Sequence, residues 1–139
     1  MKKEDLMKFC CPYLKTLREP WTHDGFTYAT DGRVLIRIPE KKSIRANPNA
    51  PTNGVIKYFK KSPSPKKWYP LPDVKNGGGL TQIGGIYYAN HLLYLIRSVI
   101  PNAQIGPVPP KNKGECATDY RPALIKFKGG DGLLMPVKR

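Results

Sequence analysis

Apolar residues recur at helical spacing near the start of the chain. The stretch KKEDLMKFCCPYLKTL predicts a helix that Pro12 kinks or ends early, with lysines between the apolar positions. Its apolar face consists of Leu6, Phe9, Cys10, Tyr13 and Leu14. The lysines indicate either a phosphate-facing helix or an ordinary solvated face.

A second helical pattern begins at Ile86, in the stretch IYYANHLLYLIRSVI. Asn90 is predicted to cap this helix, and Pro101 to end it. The residues that recur on one face are Tyr88, Leu92, Leu95 or Ile96, and Val99. A short strand over Ala103–Ile105 is expected to follow.

Short apolar runs around glycine turns predict two hairpins. Phe26–Ala29 and Val34–Ile38 flank Asp31-Gly32, and an Asp-Gly pair between β-rich runs is a strong hairpin signal. Ala123–Phe127 and Leu133–Val137 flank a glycine-rich turn near the end of the sequence. Arg33 and Arg37 share one face of their strand, which we expect to be solvated.

The middle of the chain, from 41 to 75, has nine basic residues, six prolines and one acid, Asp73. Val55–Phe59 could form a short strand, and the remainder predicts a basic, proline-rich loop or insertion at about 41–79. Its lysines alternate with Tyr58, Phe59, Trp68 and Tyr69, as on surfaces that follow a nucleic-acid backbone and stack on bases. Alternatively, some of these aromatic side chains cover the core.

The composition narrows the function classes. Twenty-four lysines and arginines against ten acids give a net charge of +14, which favours an anionic partner. Nucleic acid is the first candidate; an anionic membrane surface or solubility alone are the alternatives. The length predicts one domain, 1–139, and 15 prolines with 13 glycines indicate turns and short strands.

Several chemistries find no support in the sequence. The chain has three cysteines without a Cys-x-x-Cys pair and two histidines far apart in sequence. This pattern favours neither a disulfide framework nor a zinc site, so we expect reduced thiols in the cytoplasm. We expect no metal, no cofactor, no membrane span and no signal peptide. No nucleophile, base or carboxylate pair has motif spacing, so the chain is predicted not to be an enzyme.

Two stretches together resemble bacterial DNA sliding clamps, the β subunit of DNA polymerase III. YATDGRVLIRI, from Tyr28, resembles the Ala-Thr-Asp-Gly turn of that family. The tail follows the order of the family's last domain: a helix with Tyr-Leu, a Pro-x-Leu-Ile strand, an acidic-glycine turn and a closing Met-Pro-x-Arg. The matching residues here are Tyr94-Leu95, Pro122–Ile125, Asp131-Gly132 and Leu134–Arg139.

This resemblance implies an α+β fold, an antiparallel sheet with two helices packed on one side, in a single clamp-like domain. It also implies a DNA-facing surface with sequence-independent phosphate contacts. The residues it assigns to that surface are Lys2, Lys3, Lys8, Lys15 and Arg97. The composition of the basic loop adds Lys60, Lys61, Lys66 and Lys67.

The closing motif implies a pocket for short peptides of polymerases and repair proteins. The matching positions are Met135, Pro136, Val137 and Arg139, with an extra lysine, Lys138, inside the motif. A family chain has three domains and this chain has the length of one, so a ring around DNA would need a homo-oligomer. The basic stretch from 41 to 75 matches nothing in the family.

Three functions therefore compete. The first is a non-enzymatic, clamp-like protein that binds duplex DNA, as a processivity factor or a repurposed clamp domain. The second is an adaptor or inhibitor that uses the same fold to bind a protein and mimic or block a host nucleic-acid-handling complex. The third, a small DNA-modifying enzyme, rests on charge alone.

Overall fold

The computed structural model describes residues 1–110 and 120–138, except the side chain of Lys61. Within these residues the protein has an α+β fold, with a seven-stranded antiparallel sheet, a two-stranded sheet and three helices, which confirms the predicted class. The elements are α1 (Lys3–Met7), β1 (Trp21–His23), β2 (Phe26–Thr30), β3 (Val34–Pro39), α2 (Thr52–Lys61), β4 (Tyr69–Pro70), β5 (Leu80–Ile83), β6 (Ile86–Ala89), α3 (Asn90–Val99), β7 (Gln104–Gly106), β8 (Ala123–Phe127) and β9 (Gly130–Leu134).

The strand order in the larger sheet is β1-β2-β3-β9-β8-β7-β4, and β5 pairs with β6 in the smaller sheet. The chain divides into two compact units. The first unit contains Met1–Lys61 and Gly129–Gly132, and the second contains Ser62–Lys128 and Leu133–Arg139. The single domain expected from length remains a prediction.

The first unit contains the predicted hairpin of β2 and β3. Tyr28 pairs with Arg37 and Ala29 with Ile36. The turn forms because the Asp31 carboxylate accepts hydrogen bonds from the backbone amides of Arg33 and Val34, at 2.8 and 3.0 Å, while Gly32 adopts a positive φ of 96°. β1 extends the hairpin into a three-strand meander.

The first predicted helix is shorter than its apolar pattern suggested. α1 ends at Met7, and the next three amides bond to carbonyls three residues back, which tightens the chain before Pro12. Leu6 and Phe9 are buried as expected. Tyr13 and Leu14 were expected on the same apolar face but are 91% and 50% exposed, because the helix has ended before them.

The predicted strand over Val55–Phe59 was wrong, because these residues lie within α2. The half-buried positions along α2 are Thr52, Val55, Ile56 and Phe59. This spacing of three and four residues is helical. Pro51 lies just before the helix, where its missing amide breaks no helical hydrogen bond. The basic stretch is therefore not loop throughout.

In the second unit, the helix expected from Ile86 begins only at Asn90. Ile86–Ala89 instead forms β6, because Gly84-Gly85, both with positive φ, turns the chain back onto β5. Asn90 does not cap α3: Ala89 occupies the cap position, and the Asn90 side chain accepts a hydrogen bond from Thr81. α3 ends before Pro101, as predicted.

The terminal hairpin was predicted correctly in its first strand, β8, but not in the extent of its second. β9 begins at Gly130 and ends at Leu134, three residues before the predicted end at Val137. Pro136 has no amide to donate to a strand ladder. Beyond β9, the Val137 amide donates to the Tyr87 carbonyl of β6 at 2.8 Å. The short strand expected over Ala103–Ile105 forms one residue later, as β7.

Candidate nucleic-acid interface

The helix α2 is attached to the three-strand meander of the first unit at both of its ends. At its start, the buried Trp21 indole donates a hydrogen bond to the Thr52 hydroxyl at 2.9 Å. Trp21 itself stacks on Tyr28, with ring centroids 5.4 Å apart. Near the end of α2, the Phe59 ring lies 3.8 Å from the centre of the Arg37 guanidinium. The strands thus determine where α2 lies.

The position of Arg37 in its strand suggested a solvated face. In the structure, however, its guanidinium is bound by a carboxylate and aromatic rings. Its Nε and Nη2 donate to the two carboxylate oxygens of Asp131 at 2.9 and 2.7 Å. The Phe26 ring lies 4.5 Å from the same guanidinium. Burial alone would lower the Arg37 pKa, but Asp131 and Tyr28 outweigh it, so the pKa is raised. Arg33 is exposed, as expected, and pairs with Asp31.

The outer side of α2 carries positive charge. Asn53, Lys57 and Lys60 are exposed at i, i+4 and i+7, which places them on one face; we call these three residues the α2 basic face. The Lys57 ammonium lies 5.7 Å from the ring centroid of Tyr58, itself 45% exposed. α2 contains no acidic residue. Lys61 ends α2, and its side chain lies outside the described residues.

The N-terminal lysines do not share one long helix. Lys2, Lys3, Lys8 and Lys15 are all exposed, but only Lys3 lies within α1. Lys2 precedes the helix, Lys8 follows it, and Lys15 begins a separate 3-10 turn, Lys15–Leu17. The structure thus keeps their charge at the surface without the continuous helical face that the pattern predicted.

In the second unit, Lys66 and Lys67 are both exposed. Lys67 lies 4.9 Å from the ring of Tyr69, and Lys126 lies 4.2 Å from the ring of Trp68. Trp68 is half-buried, and a Cβ on Gly106 would meet it at 3.1 Å. Because Lys126 lies over Trp68 and the space between the ring and Gly106 leaves little room for a side chain, the alternative interpretation of this ring, that it packs within the fold, is the better one.

Arg97 lies on the exposed side of α3 and forms an ion pair with Asp73, at 2.9 Å. Both residues line a shallow cleft with Tyr94 and Ser98. A second shallow groove, in the first unit, includes His23, Asp24 and Glu40. Within the described residues, no three His, Cys, Asp or Glu side chains are grouped so as to hold a metal ion.

Three of the four residues expected to form a peptide pocket are half-buried: Met135, Pro136 and Val137. None of them lines either of the two clefts described above. Arg139 lies outside the described residues. The pocket therefore remains a prediction.

Sequence reasoning did not identify the residues that hold α2. Phe59 could have been found, because its spacing from Thr52, Val55 and Ile56 is helical. Asp131 could not, because it is 94 residues from Arg37 in the sequence. Comparison of the chain with protein-family models, with curated protein sequences and with solved structures found no significant match. No helix of the described ranges is long and apolar enough to cross a membrane.

Proposed function

We propose that the chain is a non-enzymatic, clamp-like DNA-associated protein that binds duplex DNA through sequence-independent phosphate contacts. One observation carries this proposal. The candidate lysines with described side chains are all exposed, and none forms an ion pair with another described residue. They are Lys2, Lys3, Lys8, Lys15, Lys60, Lys66 and Lys67.

The charge balance supports the same conclusion. Arginines, not these lysines, form the ion pairs with Asp31, Asp73 and Asp131. The lysines are therefore available to replace the counterions of a phosphate backbone, which is the main source of sequence-independent affinity. An excess of 14 positive charges over the whole chain also favours fast association with an anionic polymer.

The test is a salt titration of binding to two fluorescent duplexes of equal length and unrelated sequence. We expect equal affinity for both and a steep linear fall of the logarithm of the binding constant with that of the salt concentration. Each phosphate contact contributes about 0.9 to that slope. No binding at about 50 mM salt would contradict the proposal.

The proposal places the protein in the cytoplasm. Its oligomeric state has to be measured. Light scattering with and without duplex would reveal a homo-oligomer. A ring that encircles DNA predicts slower dissociation from a closed circular duplex than from a linear one of the same sequence. Equal dissociation rates would remove the ring while leaving simple phosphate binding in place.

A second candidate, a protein-binding adaptor or inhibitor, is favoured by the loop from Cys11 to Leu17. The Cys11 amide donates to the Leu17 carbonyl at 2.9 Å and closes this loop, which presents Tyr13 almost fully exposed and Leu14 half-exposed. Tyrosines, which combine an apolar ring with a polar hydroxyl, are frequent anchors of protein interfaces. A partner recovered after nuclease treatment, and lost with Tyr13→Ala, would favour this function.

The peptide pocket near the C-terminus is tested separately. If Met135 lines it, Met135→Gln should weaken binding of clamp-binding peptides from a polymerase or repair protein without changing the unfolding temperature. The exposed Met7 gives a matched control, Met7→Gln. Unchanged peptide binding in Met135→Gln would remove the pocket.

A further inference from the structure

We propose that Arg37 is a positioning residue that holds α2 so that Lys57 and Lys60 can meet the phosphate backbone together. This inference rests on the DNA-binding function proposed above, and it adds a residue that does not itself touch DNA. It also identifies the α2 basic face as the contact surface of the first unit.

The guanidinium of Arg37 is enclosed by groups from three different segments. Phe59 of α2 lies 3.8 Å from its centre and Phe26 of β2 lies 4.5 Å from it, while Asp131 of β9 takes both hydrogen bonds at its edge. Only a planar, forked cation can stack on aromatic rings and bind a carboxylate with two parallel hydrogen bonds at once. A lysine would keep the charge but lose both the stacking on the rings and the pair of parallel hydrogen bonds.

α2 depends on such external support because its own stability is low. It has ten residues, whereas isolated helices shorter than about 12–15 residues are marginal in water. Gly54, Val55 and Ile56 lower its helix propensity further. Its inner residues are only half-buried. The contacts at its ends, Thr52 to Trp21 and Phe59 to Arg37, therefore carry much of its attachment.

A fixed α2 matters for binding because ordering a mobile segment on association costs free energy. Lys57 and Lys60 lie one turn apart on a helix already held against the meander, so both can contact phosphates without that cost. If the contact between Arg37 and Phe59 is lost, α2 loosens, and the two lysines act as separate flexible charges.

The test compares duplex affinity and salt slope for four proteins: wild type, Arg37→Lys, the double variant Lys57→Gln/Lys60→Gln, and the triple variant. Arg37→Lys keeps the net charge, yet we expect it to lower affinity about tenfold and to reduce the salt slope by about 1–2. In the triple variant, Arg37→Lys should cause no further loss, because the lysines it positions are absent. The control is Arg33→Lys, an exposed arginine that should bind like wild type.

Hydrogen exchange of the free proteins supplies the second measurement. Arg37→Lys should speed exchange of the amides from 55 to 59 in α2 while β2 and β3 stay protected. Unchanged α2 protection would overturn the inference. If Arg37→Lys fails to fold, Phe59→Leu serves instead, because it removes the stacked ring but keeps the ion pair with Asp131, and the same pattern is expected.

The outcomes separate this inference from the proposed function. If the wild type and Arg37→Lys bind duplex with equal affinity, the positioning role is overturned and DNA binding stands. The same holds if the affinity losses of Arg37→Lys and of the double lysine variant add fully in the triple variant. Absence of wild-type binding at low salt would overturn both.

Discussion

Arg37 and Asp131 are 94 residues apart in the sequence and are joined by two parallel hydrogen bonds, 2.9 and 2.7 Å long. The pair connects β3 to the start of β9 within the first unit. Because Phe26 and Phe59 shield the guanidinium, this pair is less exposed to water than the Arg97–Asp73 pair of the second unit, whose carboxylate side chain is 85% exposed. The two pairs should therefore contribute differently to stability.

Asp131→Asn should lower the free energy of unfolding by about 1–2 kcal/mol, because it removes the charge and one acceptor of a bidentate, partly shielded pair. Urea unfolding followed by circular dichroism measures this change. The matched control, Asp73→Asn, should change stability by less than about 0.5 kcal/mol, since exposed pairs contribute little. Equal losses in the two variants would contradict the distinction.

Substitution of alanine for Gly132 and for Gly54 should change the stability of the fold in opposite directions. A Cβ on the buried Gly132 of β9 would collide with the backbone carbonyl of Leu35 and meet Ile36 Cδ1 at 3.0 Å, so Gly132→Ala should destabilise by about 1–3 kcal/mol.

Around Gly54 of α2 there is open space and φ is not positive, so Gly54→Ala should stabilise by about 0.5–1 kcal/mol. Thermal unfolding of both variants decides the signs. A stabilising Gly132→Ala would indicate that β9 lies farther from β3 than described.

Local signals in the sequence were enough to predict the hairpin of β2 and β3 and the strand β8. In each case a turn residue and the alternating apolar positions specify the same structure. Predictions failed where the apolar spacing of a helix continues into a neighbouring strand. Ile86–Ala89 continues the helical pattern of α3, and only the Gly84-Gly85 turn before it shows that these residues turn back as a strand.

The candidate site was less accessible to sequence reasoning than the fold. The charge of Lys60, Lys66 and Lys67 is visible in the composition, and their exposure follows from it. The attachment of α2 to the meander cannot be seen in the sequence. It depends on a carboxylate distant in sequence and on an arginine whose position in the strand looks solvated. Tertiary contacts of this kind override local pattern.

Tyr88 is fully buried, and its hydroxyl has no hydrogen-bond partner among residues 1–110 and 120–138. Burial raises its pKa. A buried hydroxyl without a partner costs free energy, so Tyr88→Phe should raise the free energy of unfolding by about 1 kcal/mol.

The control for Tyr88→Phe is Tyr28→Phe, because the Tyr28 hydroxyl interacts with Arg37 and its removal should destabilise. Urea unfolding of both variants gives the comparison. A loss of stability in Tyr88→Phe as large as that in Tyr28→Phe would mean that the Tyr88 hydroxyl has a partner in solution.

The thiol of Cys10 links stability to alkaline pH. Burial raises the pKa of Cys10 from 9.0 to about 11, more than its hydrogen bond with the Thr30 backbone lowers it, and Asp31 adds to the increase. The thiol donates to the Leu6 carbonyl at 3.6 Å. The folded state therefore keeps a proton that the unfolded state releases near pH 9, and this preference stabilises the fold fully below that pH.

As pH rises from 9 to about 11, this contribution of Cys10 is lost, because the folded protein must then bury a thiolate or expose it. Cys10→Ala lacks the titrating group. We therefore expect the stability difference between wild type and Cys10→Ala to be constant from pH 7 to 8 and to shift against the wild type between pH 9 and 11. Urea unfolding under reducing conditions at each pH measures it. A difference that stays constant up to pH 11 would show that Cys10 titrates alike in the folded and unfolded chain, and so that its burial is incomplete in solution.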